Sequence, residues 1–238
     1  MAILRTGFLA LALLLAQNVI VHADTLDDAF DEAVAAYGRG DYATALRIWQ
    51  PLAEQGIVWA QGNLGTMYRD GKGLRQDYAE AAKWYRKAAE QDIAYAQYNL
   101  GYMYENGKGV PQDDAEAVKW YRKAADQGFV YAQNNLGHMH ENGRGVSQDH
   151  AKAVTWYRKA AERGFAPAQH NLGVMYADGA GEPQDDAAAY MWFTLAAAQG
   201  FEEAQKSREI VAKFKLMTPD QITEAQRMAR EWMAKHQQ

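Results

Sequence analysis

The sequence predicts an all-α protein in which one helical unit is repeated four times, and two observations support this prediction. The tripeptide Asn-Leu-Gly recurs at a constant step of 36 residues, beginning at Asn63, Asn99, Asn135 and Asn171. A fixed period of about 20 to 50 residues indicates a repeat architecture, because each unit can bury its apolar face only against its neighbours. Within each unit the apolar residues follow a helical spacing, and no strand-like alternation is found along the sequence.

The first 23 residues have the layout of a secretory signal peptide. Arg5 precedes an apolar stretch over residues 7–16, and a small-residue site follows at residues 21–23. An uncleaved membrane anchor is the alternative, but a spanning helix needs about 20 apolar residues and this stretch is shorter. We therefore expect cleavage after Ala23, secretion of the mature chain, and a periplasmic location.

Residues 24–56 are predicted to form an N-terminal capping pair of helices. The first helix is expected over Thr25 to Tyr37 and the second over Asp41 to Gln55. Pro51 is expected to disturb the second helix, because proline lacks a backbone donor. A capping pair is needed because an exposed repeat face at the end of a stack would aggregate.

Residues 57–204 hold the four units, and each unit predicts two helices joined by a glycine turn. In the first unit apolar residues recur at helical spacing from Ala60 onward, and Gly71 is expected to end this helix, called helix A, with a left-handed cap. The repeated Gly-Lys-Gly at 71–73 and 107–109 is interpreted as a helix cap and turn. A phosphate loop is disfavoured because the surrounding Walker or dinucleotide pattern is missing.

A second helix, called helix B, is predicted after each turn. An aspartate stands at each expected N-cap, at Asp77, Asp113, Asp149 and Asp185. Three residues later, Glu80 and Glu116 are expected to complete a capping box in two of the units. One face of helix B is apolar, whereas the other carries charges such as Lys83, Arg86 and Glu90, which predicts a solvated outer face.

A long spaced pattern of alanine, glycine and aromatic residues recurs in phase from about Trp59 to Ala204. In the second unit it consists of Ala96, Leu100, Gly101, Tyr104, Gly107, Gly109, Val110, Asp113, Ala117, Trp120, Tyr121, Lys123, Ala124, Ala125 and Gly128. The pattern resembles the Sel1-like repeat family, a relative of the tetratricopeptide repeats, and departs from it at Glu116, where the family has lysine. The resemblance implies a right-handed superhelical solenoid of antiparallel helix pairs that holds other proteins. Some members have a disulfide in each repeat, but this chain has no cysteine, so stacking alone must stabilise it.

The composition removes most catalytic and ligand classes. The absence of cysteine excludes thiolate metal sites and cysteine nucleophiles, and the two serines after residue 23, Ser147 and Ser207, lie in no hydrolase motif. A net charge of −5 without a block of like charge gives no footprint for nucleic acid. No two of the clustered histidines have the i, i+4 spacing of metal ligands, and we interpret them as surface residues: His138, His140, His150 and His170. We expect no cofactor, metal or nucleic-acid partner.

The candidates for partner binding come from positions that differ between the four copies. On the helix-A wheel, the positions equivalent to 62, 66 and 69 lie opposite the core positions, and residues fixed by stacking should not vary. These positions hold Gly62, Thr66 and Arg69, then Tyr98, Tyr102 and Glu105, then Asn134, His138 and Glu141, then His170, Val174 and Ala177. The resemblance implies that helix A lines the concave side, so we expect a binding groove there with Tyr98 and Tyr102 as anchors. Ordinary variation of a solvated surface is the alternative.

The constant asparagines Asn63, Asn99, Asn135 and Asn171 stand between the core and the variable face. Asparagine has a modest helix propensity, so its presence in all four copies requires a role that alanine cannot fill. Two roles compete: each amide bonds the backbone of the neighbouring repeat, or the ladder pairs with the main chain of an extended peptide. We favour the structural role.

Residues 205–238 are predicted to be C-terminal capping helices, the last of which opens at the capping box Thr218-Pro219-Asp220-Gln221. In the fourth unit, the outer face of helix B is apolar instead of charged, at Met191, Thr194, Leu195 and Ala198. A solvated face has no reason to become apolar, whereas a covered face must, because burial of unpaired charge is costly. We therefore expect the last helix to lie against the fourth helix B.

Together these features predict a monomeric, non-catalytic scaffold of the cell envelope that binds a protein or peptide through the helix-A face. The alternative is a cell-envelope enzyme or accessory factor that acts on peptidoglycan. Such an enzyme would need a convergent acid/base pair, and no unrepeated cluster of carboxylates marks one in the sequence.

Overall fold

The computed structural model describes residues 26–214 and 217–236, so the signal-peptide prediction for residues 1–23 lies outside the described residues. The described residues form twelve helices and no strand, and the chain divides into two compact units between Trp84 and Tyr85. The helices are α1 (26–38), α2 (Tyr42–Glu54), α3 (Val58–Asp70), α4 (Tyr78–Glu90), α5 (Ala94–Asn106), α6 (Asp114–Asp126), α7 (Val130–Asn142), α8 (His150–Glu162), α9 (Ala166–Asp178), α10 (Asp186–Ala198), α11 (Glu202–Phe214) and α12 (Pro219–His236).

The first unit contains the predicted entry pair, α1 and α2, followed by α3. Its core is built around Trp49, Leu64 and Met67, with small alanines from α1 and α2 between them. The N-cap of α2 is Asp41, whose carboxylate accepts a hydrogen bond from the backbone N–H of Thr44. The helix runs through Pro51 to Glu54, so the expected disturbance at Pro51 does not end it.

In the second unit each helix packs against the next one along the chain, from α5 to α11. Helices α3, α5, α7 and α9 are the predicted A helices, and α4, α6, α8 and α10 are the B helices. The rings of Tyr121, Tyr157 and Phe193 are buried between them. A Cβ atom on Gly137 would lie 2.7 Å from the Tyr157 ring, so glycine is required where the A helix crosses this ring. The predicted all-α solenoid of helix pairs is confirmed.

The glycine turns confirm the interpretation of Gly-Lys-Gly as a helix cap. Gly143, for example, has φ +67° and donates its backbone N–H to the carbonyl of Met139, which ends α7. A second glycine follows two residues later, and a Cβ on Gly181 would lie 2.5 Å from the His150 carbonyl oxygen. The second glycine therefore lets the turn approach the start of the preceding B helix.

The predicted aspartate N-caps are confirmed, but the capping boxes at Glu80 and Glu116 are not. Asp113 accepts hydrogen bonds from the backbone N–H groups of Ala115 and Glu116. Its own N–H donates to the Tyr104 carbonyl oxygen at 3.0 Å, so no donor remains for a returning glutamate. Glu116 instead pairs with Lys119, and the first unit repeats this arrangement with Glu80 and Lys83.

A buried glutamine at the start of each A helix joins that helix to the preceding one, and the sequence analysis did not identify it. Gln97 Nε2 donates to the Ala89 carbonyl oxygen at 3.1 Å. The equivalent bonds run from Gln61 to Ala53, from Gln133 to Ala125 and from Gln169 to Ala161. Each bond pairs a buried side-chain amide with a backbone carbonyl in the last turn of a helix. Carbonyls there have no hydrogen-bond donor within their own helix. The signal was present as Ala-Gln at the same position in all four copies.

The C-terminal helix lies against the fourth B helix, as predicted. The reciprocal bonds between Thr218 and Gln221 form the expected capping box at the start of α12. Helix α12 packs on α10, and the rings of Trp192 and Trp232 meet at 6.1 Å between centroids. Leu195 is left only 2% exposed, whereas Ala198, at the end of α10, remains exposed.

Candidate partner-binding surface

The A helices of the second unit present one surface that is partly exposed, although Tyr98, Tyr102 and Val174 on it also pack against the core. On α5, α7 and α9 the positions i, i+3 and i+7 fall on one side of each helix. We call this surface the A-face; it comprises Tyr95, Tyr98, Tyr102, Tyr131, Asn134, His138, Pro167, His170 and Val174. All nine residues are exposed or half-buried. The structure therefore leaves this side of the helices open to solvent, and four of its nine side chains are tyrosines.

Five aromatic rings form a continuous row along the N-terminal edge of the A-face. We call Tyr95, Tyr98, Phe129, Tyr131 and Phe165 the aromatic row. Neighbouring ring centroids lie 5.2 Å apart for Tyr98 and Phe129, 5.5 Å for Phe129 and Tyr131, and 4.8 Å for Tyr131 and Phe165. Tyr95 joins the row through Phe129 at 6.4 Å. Although packed against other rings, Tyr95 and Tyr131 remain 37% and 49% exposed.

Of the aromatic row, only Tyr98 was predicted from the sequence. Tyr95 and Tyr131 lie three residues before the variable positions 98 and 134, on the same side of the helix. Inclusion of this fourth position on the helix wheel would have found both tyrosines. Phe129 and Phe165 precede their helices, so helical periodicity could not place them.

Two of the predicted binding residues, Tyr102 and His138, lie on the A-face away from the row. Lys108 places its Nζ atom 5.0 Å from the centroid of the Tyr102 ring and 3.3 Å from its hydroxyl. His138 is exposed on the next A helix. These two side chains extend the candidate surface along α5 and α7.

Glu105 and Glu141 were expected to be free for a partner, but each carboxylate is engaged within the fold. The Tyr121 hydroxyl donates to Glu105 at 2.6 Å, and the Tyr157 hydroxyl donates to Glu141 at 2.5 Å. Burial, strengthened by the neighbouring carboxylates, raises the pKa of both hydroxyls well above the ordinary tyrosine value. Arg144 also donates to Glu105 at 2.8 Å.

The fourth copy lacks both partners of this hydrogen bond. It has Ala177 in place of the glutamate and Phe193 in place of the tyrosine, so the acceptor and the donor disappear together. From the second copy to the fourth the variation follows a buried hydrogen bond, whereas the first copy has Arg69 together with Tyr85. The expectation that this position has no part in the core is wrong for Glu105 and Glu141.

The remaining polar candidates form a network that links successive A helices. Asn171 donates to Asn134 Oδ1 at 3.0 Å, which joins α9 to α7. His170 Nε2 lies 3.1 Å from Ser207 Oγ, which joins α9 to α11. Its ring also packs near Phe193, and burial lowers the pKa of His170 below the ordinary histidine value. His170 and Asn134 therefore contribute to the contacts between repeats.

The asparagine ladder makes different hydrogen bonds in different copies, and its expected structural role stays a prediction. Asn99 donates to the Tyr95 carbonyl of its own helix at 2.8 Å, whereas Asn171 donates to Asn134 Oδ1 of the neighbouring repeat at 3.0 Å. Asn63, in the first unit, is half-buried on α3.

His140 is buried, contrary to the expectation of a surface histidine. It occupies the position of Tyr104 and Tyr176 in the neighbouring copies and is only 3% exposed. Its Nε2 lies 3.4 Å from Arg122 Nη2, and because arginine can only donate, Nε2 is the acceptor and the proton is on Nδ1. Burial, followed by the charge of Arg122, lowers the pKa of His140.

Histidine, aspartate and glutamate side chains do not come together in groups of three suited to a metal ion anywhere in residues 26–214 and 217–236. Over the same ranges, no helix is both long and apolar enough to cross a membrane.

Comparison with known proteins gives consistent results from sequence and structure. The family model for the Sel1 repeat matches residues 60–93, 94–129, 130–165 and 166–201. A Sel1 repeat protein from Oxalobacter formigenes is 36% identical, with a TM-score of 0.68, over 73% of this chain and 71% of its own. A protective antigen of uropathogenic Escherichia coli that displays an SLR fold is 34% identical, with a TM-score of 0.75, over 93% of this chain. The chain spans about half, 48%, of that antigen's length. The comparison with curated proteins gave no match.

Proposed function

Because the chain belongs to the Sel1 repeat family, whose repeats generally mediate protein interactions, we propose that it is a non-catalytic scaffold that binds a protein or peptide partner through the A-face. The layout of residues 1–23 supports a site of action in the cell envelope. The partner would meet the aromatic row together with Tyr102 and His138.

The observation that carries this proposal is the exposure of rigid aromatic rings. Tyr131 is 49% exposed, yet it is packed between Phe129 and Phe165. A large side chain that is already held in place loses little conformational freedom on binding, and tyrosine is enriched at the energetic centres of interfaces. The row thus combines apolar area with a low entropic cost of association.

The opposite surface has the character of a solvated face. On α6 the outward residues Lys119, Arg122, Lys123 and Asp126 are all exposed and mix both signs of charge. Lysine and aspartate, which make up three of these four residues, are depleted from the centres of interfaces. The A-face is therefore favoured over the outer B-helix face as the binding surface.

The engagement of Glu105 and Glu141 supports a non-catalytic role. A general acid or base must reach its substrate with a carboxyl group that is available for proton transfer. Both carboxylates already accept hydrogen bonds from buried tyrosine hydroxyls. This arrangement disfavours the alternative of an enzyme that acts on peptidoglycan through Glu105 or Glu141.

Site-specific photo-crosslinking in the native compartment tests the proposal. A photoreactive amino acid would replace Tyr102 or His138 on the A-face, and Lys119 or Lys152 on the outer face as matched controls. We expect both A-face positions to crosslink the same protein, identified by mass spectrometry, and the outer positions to leave it uncrosslinked. Crosslinks confined to the outer positions would overturn the assignment of the A-face.

A further inference from the structure

The aromatic row has the dimensions and chemistry of a site for an extended ligand. Its rings lie at or just before the start of three A helices, α5, α7 and α9, and neighbouring centroids are 4.8 to 6.4 Å apart. From Tyr95 through Phe129 and Tyr131 to Phe165 the centroid steps are 6.4, 5.5 and 4.8 Å, with Tyr98 beside Phe129 and Tyr131, so the row is at most about as long as five residues of a polyproline II helix. A narrow row of this length fits one extended chain.

The row is uncharged, and its most exposed members carry hydroxyl groups. The row contains no acidic or basic residue, and Tyr95 and Tyr131 combine an exposed ring with a hydroxyl group. Asp92, which begins the turn before α5, already accepts hydrogen bonds from Gln97 and Gln127. A matching ligand is therefore uncharged where it meets the rings and rich in hydrogen-bond acceptors.

These requirements discriminate between the common forms of a bound peptide. The backbone carbonyls of an α-helix are satisfied internally, and strand addition requires a sheet edge, which the described residues lack. A polyproline II segment has no internal hydrogen bonds, so its carbonyls can accept from tyrosine hydroxyls while its flat proline rings cover the aromatic faces. It is also stiff before it binds, which lowers the entropic cost of association.

We propose that the aromatic row binds a proline-rich segment of the partner in the polyproline II conformation. This inference rests on the proposed function and specifies the chemistry of the partner. Tyr131 stands at the centre of the row, with Phe129 and Phe165 on its two sides, and is its principal contact.

The test is a titration of the purified protein with fluorescein-labelled decaproline, followed by anisotropy. A labelled peptide of the same length in which alanine and glutamine replace proline is the control for conformation. Phe214→Ala is the matched control variant, because Phe214 is 70% exposed and lies outside the row. We expect saturable binding of decaproline, no binding of the control peptide, and an affinity unchanged by Phe214→Ala.

Variants of Tyr131 separate the ring from the hydroxyl. Tyr131→Ala should weaken decaproline binding at least tenfold, and Tyr131→Phe should weaken it a fewfold, because only the hydroxyl donor is lost. Absence of saturable decaproline binding, or equal binding by wild type and Tyr131→Ala, would overturn the inference. If crosslinks from Tyr102 and His138 persist in that case, the A-face function stands and only the chemistry of the partner is wrong.

Discussion

Gln127 donates a hydrogen bond from its Nε2 to the buried Oε1 of Gln97 at 2.8 Å, across 30 positions of sequence. Gln97 in turn donates to the Ala89 carbonyl, so the two glutamines continue one chain of bonds between repeats. Gln199 and Gln169 reproduce this relationship two repeats later, again at 2.8 Å. The copy between them lacks it, because Arg163 stands at the equivalent position and donates instead to the Gly128 carbonyl.

The interrupted bond leaves Gln133 Oε1 buried without a hydrogen-bond partner in the described structure. Replacement of Arg163 by glutamine should supply the missing donor and stabilise the protein by about 1 kcal/mol, since an unsatisfied buried acceptor costs about 1–3 kcal/mol. For a chain of this size, that is a rise in melting temperature of about 2–4 °C. Differential scanning calorimetry at neutral pH measures it.

The reciprocal variant, Gln199→Arg, is the matched control. It removes the donor to Gln169 and should lower the melting temperature by a similar amount. If Arg163→Gln leaves stability unchanged or reduces it, Gln133 Oε1 is satisfied by another group and the explanation fails.

The Tyr157–Glu141 bond predicts a non-additive mutational cycle. Glu141→Ala leaves a buried hydroxyl without its acceptor and should cost about 1–3 kcal/mol, whereas Tyr157→Phe should cost about 1 kcal/mol. The double variant reproduces the Ala177–Phe193 pair of the fourth copy and should cost less than the two single changes together, with a coupling energy of about 1 kcal/mol. Urea denaturation of the four proteins measures the coupling. Strict additivity would show that the bond contributes nothing.

Because His140 is buried, we expect the folded protein to lose stability in mild acid. Its pKa is lower in the folded protein than the ordinary value of 6.5, so the unfolded chain binds a proton more readily. The stabilisation from neutral His140 is complete above about pH 6.5 and is lost as the pH falls through the lowered folded value. His140→Tyr, which restores the residue of the neighbouring copies, should reduce the dependence of the unfolding free energy on pH. The exposed His138→Gln is the control, and an equal effect of both changes would contradict the assignment.

Because α12 covers an apolar face of α10, we expect removal of α12 to destabilise the protein. Termination after Met217 removes α12 and should expose Met191, Trp192 and Leu195, lower the melting temperature and promote self-association. Light scattering with size-exclusion chromatography measures the association. A truncated protein that remains monomeric and equally stable would show that α12 does not protect this face.

The features that recur in every repeat could be predicted from the sequence. The 36-residue period, the left-handed glycine after each A helix and the aspartate before each B helix are local features, and all are confirmed. The position of α12 was also predictable, because the loss of charge at Met191 and Leu195 required a cover.

The sequence could not predict which polar side chains would meet. Glu105 was expected to face solvent, but the Tyr121 hydroxyl reaches it from the next helix, 16 residues later. Similarly, Phe129 joins rings from two repeats although it lies just before α7, in the turn. Such contacts depend on how neighbouring helices are placed, which a helix wheel for one repeat does not contain.

The central claim is that the A-face binds the partner while the polar network holds the repeats together. The most direct test is the dissociation constant of the crosslinked partner for the double variant Tyr102→Ala/Tyr131→Ala, measured by isothermal titration calorimetry beside its melting temperature. The account predicts a loss of binding free energy of about 2 kcal/mol or more, with a melting temperature close to that of the wild type. An unchanged dissociation constant in the folded double variant would contradict it.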